Sequence, residues 1–140
     1  MTESSHSRAE RLLLVTTALA VLHHIDHVLR SVHSGWPFLA EVTPFTYGLL
    51  VYPVIAVVLL ARGWPRLRIG LTALLAASLA IAHVVLETPA DQYVVWAARP
   101  EWNWLAVGSP VAGALSVLVS VLLALAGVAT VIAFIRSGGA

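Results

Sequence analysis

VAGALSVLVSVLLALAGVATVIAFI, residues 111–135, runs for 25 residues without a charge. At 1.5 Å per residue such a helix outreaches the roughly 30 Å hydrocarbon core of a bilayer. A soluble domain has no use for a helix that is apolar all round, so this stretch assigns the chain to the membrane. Gly113, Ser116, Ser120, Ala124 and Gly127 form a stripe of small residues along it, the composition that lets membrane helices approach closely.

The rest of the chain agrees. Of its 140 residues 59% are hydrophobic and 11% charged, and the mean hydropathy is +0.89. A soluble domain carries roughly 25% charged residues. Three further apolar segments stand at about 9–33, 45–62 and 67–87, and a connection at 88–109 precedes the last one at about 110–136. We therefore expect an all-α, integral membrane four-helix transmembrane bundle, a single transmembrane domain over 1–140. Arg8 and Arg11 ahead of Ala18-Leu19-Ala20 mimic a cleavable signal. The apolar core before that site is too short for one, and 1–10 reads as a frayed polar tail. Gly35 and Pro37 break the first helix, and Trp36 and Phe38 suit a membrane–water interface, with His33 at the same level. Pro44 is placed as an early residue of the second helix, after Glu41 and Thr43. Pro53 should kink that helix. Three tryptophans and a tyrosine in 88–109 (Trp96, Trp102, Trp104, Tyr93) predict a partly helical, interfacial segment able to cap whatever lies beneath.

Several classes fall away. Cysteine is absent, which removes disulfides, thiolate metal sites and cysteine nucleophiles. A net charge of +1 without a basic run makes no case for nucleic acid. All eight cations are arginines, and they sort by side: Arg8, Arg11, Arg62, Arg66, Arg68 and Arg136 against Arg30 and Arg99. The positive-inside rule puts both termini in the cytoplasm of a multi-pass cell-membrane protein.

Against this background Leu22-His23-His24-Ile25-Asp26-His27-Val28-Leu29-Arg30 is out of place. On a helix His23, His27 and Arg30 fall within about 60° of one another, with Asp26 about 60° to one side of His23 and His24 about 100° to the other. Thr16 extends the same face. His83 and Glu87, four apart, end the third segment. Counting from the inner arginines, His23 lies roughly 18 Å and His83 roughly 22 Å into the membrane. Two polar clusters thus reach similar depth in the outer half, where Tyr47, Tyr52 and Ser116 are candidate hydrogen-bond partners.

An ionisable residue in hydrocarbon is costly and marks function by default. Two i, i+4 pairs on facing helices make a natural bundle metal site, with His23, His27, His83 and Glu87 as ligands. Histidine and carboxylate suit a transition metal: zinc, iron, copper or manganese. Asp26 or Glu87 would move protons in a metalloenzyme acting on a small or lipid-soluble substrate. His24 points elsewhere and is expected to be packed or hydrogen-bonded. One alternative is a single b-type haem, with His27 and His83 as axial ligands, Arg30 on a propionate, and electron transfer as its work. Others are a structural ion-pair network in a non-catalytic accessory subunit of a larger membrane complex, and a homo-oligomer that relays protons along its histidines. The layout is similar to that of small four-helix membrane proteins holding haem or metal on helix-borne histidines; the likeness is architectural and carries no motif.

Overall fold

The computed structural model describes residues 3–30, 32 and 44–138, and every regular element among them is helical. Helix α1 spans Glu3–Leu29, α2 Pro44–Gly48, α3 Val51–Leu60 and α4 Pro65–Ile81. The α4 helix continues as a π-helical turn over Ala82–Leu86. Helix α5 (Pro89–Ala97), a 3₁₀ turn (Pro100–Trp102) and α6 (Pro110–Gly138) complete the chain. Three stretches, Arg8–Leu29, Pro65–Leu86 and Pro110–Gly138, are long and apolar enough to cross a membrane, and Phe45–Leu60 is a shorter apolar helical stretch. The expectations for His33, Gly35, Trp36, Pro37, Phe38, Glu41 and Thr43 fall outside the described residues.

The buried residues of α6 are Gly113, Ser116, Ser120, Leu123, Gly127, Thr130, Phe134 and Ser137. Their spacing alternates between three and four, the 3.5-residue period of helices that cross at a small angle with interlocking side chains. On α1 the inward positions are Ala9, Leu13, Thr16, Ala20, His23, His27 and Arg30, with the same alternation. The two seams meet antiparallel. Thr16 and Thr130 share a hydrogen bond of 3.0 Å between hydroxyls, and at the other end Ser116 reaches Asp26. Helix α4 runs parallel to α1: Arg68 pairs with Glu10 at one end and Glu87 with Arg30 at the other.

The end of the bundle that carries Glu10 and Arg68 is closed. Ala9, Leu13, Ile55, Val58 and Phe134 form an apolar cluster, and the guanidinium of Arg68 lies over the Phe134 ring at 4.5 Å. Arg62 joins Arg68 on Glu10. The expected frayed tail is thus helical from Glu3, with Ala9 fully buried and Glu10 holding two arginines.

Pro53 acts one turn earlier than its own position. It has no N–H to offer the carbonyl of Leu49, and the helix is interrupted at Leu49–Leu50, between α2 and α3. The Leu49 carbonyl instead accepts from Tyr52 N at 3.3 Å. Past α4, Thr88 and Asp91 form a reciprocal capping box, which starts α5 at Pro89 within the segment expected to be partly helical.

Helix α5 presses on α6 at Gly113, where an added Cβ would stand 2.8 Å from the Tyr93 carbonyl oxygen and 2.9 Å from its ring. Gly113→Val should therefore cost about 1–3 kcal/mol through overpacking, read as a lower midpoint of thermal unfolding in detergent. An unchanged midpoint would mean that α5 does not seat on α6 this way.

Candidate metal centre

Asp26, the only aspartate on α1, accepts three hydrogen bonds from three elements. Arg30 Nε donates to Oδ2 at 2.7 Å, Ser116 Oγ of α6 to Oδ2 at 2.8 Å, and Trp96 Nε1 of α5 to Oδ1 at 2.8 Å. Arg30, fully buried, donates through Nη1 to Glu87 Oε1 and through Nη2 to Glu87 Oε2 at 3.4 Å. One guanidinium thus clamps a carboxylate from its own helix and one from the end of α4. A buried guanidinium has no other way to recover the hydration it gives up. The residue that was expected to meet a haem propionate is engaged by two protein carboxylates.

The clamp delivers the histidines. His23 and His27 are one turn apart on α1, with Nε2 facing Nε2 at 3.0 Å. The His83 ring packs edge-on against His23, centroids 4.4 Å apart, and lies 6.1 Å from His27. One ligand nitrogen from each of the three falls within 4.8 Å of the others. Glu87 Oε2 stands 3.4 Å from His27 Nε2 and 3.9 Å from His83 Nδ1. His23 and His83, placed at similar depth by residue counting, are in contact.

The π-helical turn explains how α4 offers both its polar residues. Glu87 N donates to Ala82 O at 2.9 Å, a five-residue reach that widens the turn. The wide turn keeps His83 and Glu87 inward and carries Val84, Val85 and Leu86 on the outside, each about two-thirds exposed or more. An ordinary α-helical i, i+4 pair was expected there. Short π segments are rare and gather at functional sites.

A second layer orients the rings. Ser120 Oγ lies 3.2 Å from His23 Nδ1 and donates to Gln92 Oε1 at 2.9 Å. The Gln92 amide nitrogen lies 3.0 Å from His83 Nδ1. Gln92, fully buried on α5, had no part in the sequence reading, although Thr88-Pro89-Ala90-Asp91 signals a helix start that puts residues 92, 95 and 96 on one face. Ser120 appeared only as a small residue of the α6 stripe. Trp96 gives the expected cap its anchor on Asp26, and Trp104 N donates to Leu29 O at 2.9 Å. His24 is hydrogen-bonded rather than clustered: its Nδ1 meets Tyr52 Oη at 2.7 Å and its ring packs on Phe45. Tyr47 is largely exposed.

The donor set fits a transition ion. Zinc–nitrogen bonds of 2.0–2.1 Å in a tetrahedron place ligand atoms about 3.3 Å apart. The His23–His27 and His27–Glu87 separations bracket that value. The hydrogen-bond partners on His23 Nδ1 and His83 Nδ1 are the usual companions of metal-bound histidine. A haem fits less well, because a macrocycle between two axial imidazoles would hold their rings well apart, whereas these are in edge contact.

Removing one member of the clamp leaves an uncompensated buried charge. Arg30→Met should cost about 3–5 kcal/mol, and the double variant Arg30→Met, Glu87→Gln should recover part of it in thermal unfolding. Additive losses would mean that the two residues do not interact. No family model matches the chain, and no curated protein or solved structure matches it significantly, so the chemistry of this centre rests on its geometry.

Proposed function

We propose that this chain is a multi-pass cell-membrane protein, a four-helix transmembrane bundle with cytoplasmic termini. Its outer half binds one divalent transition ion through His23, His27 and His83, with Glu87 as fourth ligand. The observation that carries the reading is the convergence of two buried imidazoles, His23 and His27, and the half-buried His83 from a second helix, with Ser120 on His23 Nδ1 and Gln92 on His83 Nδ1. The charge balance supports it. Asp26, Arg30 and Glu87 sum to −1, and with the imidazoles neutral this net negative charge favours a cation at the cluster.

Within this reading the carboxylates divide their work. Asp26 has its lone pairs taken by Arg30, Ser116 and Trp96 and serves as scaffold. Glu87 keeps Oε2 towards the histidines and is the group placed to ligate or to hold a proton. Exchanging oxygen and nitrogen of the Gln92 amide lets it accept from His83 Nδ1–H and donate to Ser120 Oγ, freeing Nε2 of His83. A bound ion at this centre would supply Lewis acidity or a redox couple. The bilayer is its one assigned partner; a homo-oligomer or a larger complex is compatible with the exposed outer faces.

The second reading, a structural network in an accessory subunit, is favoured by one observation: the Asp26–Arg30–Glu87 clamp is satisfied by protein groups alone. Metal analysis separates the two. Detergent-purified protein should carry close to one equivalent of zinc, iron or copper, and His83→Ala should lose it while keeping the helical circular-dichroism spectrum. A stable, metal-free protein that takes up none of these ions would establish the network instead. For orientation, the cysteine-free background allows Trp64→Cys in the turn between α3 and α4. An impermeant thiol reagent should label it only in opened cells or inverted vesicles. Labelling from the outside of intact cells would reverse the topology.

A further inference from the structure

A cavity of about 500 Å³ runs from the histidines towards the inner end of the protein, within the 300–1,000 Å³ range of small-molecule sites. Its lining on α1 extends from Leu13 to His27, and on α4 and the π turn from Thr72 to Glu87. Fourteen residues of α-helix rise roughly 20 Å. The cavity is therefore elongated along the helices, and a long hydrocarbon chain matches its extent. The slot ends where Leu13 and Ile55 enter the apolar inner cluster. Leu50 and Leu74 line it and are 56% and 60% exposed, so apolar side chains stand at its edge.

Polarity along the slot is graded. Its walls are chiefly aliphatic, and the ionisable groups gather at the outer end, where His23, His27, His83 and Glu87 line it. A molecule that fits is therefore long, single-tailed and lipid-soluble, with one polar head. Charge selects the head. With a divalent ion at the histidines, the cluster of Asp26, Arg30 and Glu87 passes from −1 to +1. A single anionic oxygen group returns it to zero in a region of low dielectric, where an uncompensated charge is expensive.

From shape and charge together we infer that the slot binds a single-chain aliphatic carboxylate, tail towards Leu13 and head at the metal centre. This rests on the metal reading above. The head group binds only when the ion is present, because without it Glu87 and Asp26 leave the site net negative.

The test uses full-length, detergent-purified protein loaded with Co²⁺, whose visible spectrum reports its ligands. The probe is dodecanoate, with acetate, 1-dodecanol and metal-free protein as comparators. Dodecanoate should perturb the Co²⁺ bands and be retained by the protein at least tenfold more tightly than acetate, than dodecanol, and than dodecanoate on metal-free protein. Leu75→Trp, in the lining about two turns before His83, should weaken dodecanoate at least tenfold with Co²⁺ content unchanged, and Val54→Phe should do the same from α3. Failure of Co²⁺ to bind would sink the metal reading and the carboxylate with it. Normal Co²⁺ uptake with no preference for dodecanoate over dodecanol or acetate, or with full binding in both filled variants, would overturn this inference alone.

Discussion

A guanidinium buried among apolar helices has to bring its counter-charges with it, and the histidine-bearing half of this protein is arranged around that demand. Arg30 sits about one turn beyond His27 and is fully buried, so it cannot be left without a counter-charge. Asp26 on the same helix neutralises it, and Glu87 at the end of α4 adds a second carboxylate. The second contact is long-range and ties the two parallel helices at their C-terminal ends. Ser116 and Trp96 then bind Asp26 and bring α6 and α5 onto the same anion. Four elements converge on one ion cluster, and the imidazoles are carried in with them. The excess of one negative charge in that cluster is what makes a cation the fitting guest.

The two halves of the protein use opposite means of closure. At the Glu10 end Ala9, Leu13, Ile55, Val58 and Phe134 fill the space between helices. Towards the histidine end the broken α2–α3 helix does not fill it, and the slot remains. Pro53 has a part in this, since the interruption it imposes at Leu49–Leu50 changes the path of the chain opposite the histidines. His24 and Tyr52 bond across that part of the structure at 2.7 Å, so the second helical stretch is tied to α1 at a polar point and packed against it at an apolar one.

Much of this was legible in the residues. The polar face of α1 follows from 100° per residue, and the shared depth of His23 and His83 follows from counting along two helices anchored by arginines. What counting cannot supply is rotation about each axis. Whether His83 turns towards α1 is decided by the seam that α6 makes with α1, by the clamp at Arg30, and by the widened turn at Ala82–Leu86. The π turn has no composition signal, because Ala82, Val84, Val85 and Leu86 would sit equally well in an α-helix. Gln92 was hidden by its setting: within a segment read as partly helical and interfacial, one amide gives no sign of facing the histidines until the Thr88–Asp91 box fixes where the helix starts. The frayed tail was misjudged for a related reason. Glu10 looks like a surface charge in sequence, and only the return of Arg62 and Arg68 from the α3–α4 turn gives it partners.

The central claim is that α1 and α4 contribute imidazoles to a single ion. X-ray absorption at the zinc edge of protein loaded with one equivalent of Zn²⁺ addresses it most directly. The account predicts a nitrogen/oxygen shell whose outer scattering fits three imidazoles, falling to two in His83→Ala. A shell without imidazole scattering, or one that His83→Ala leaves unchanged, would contradict it.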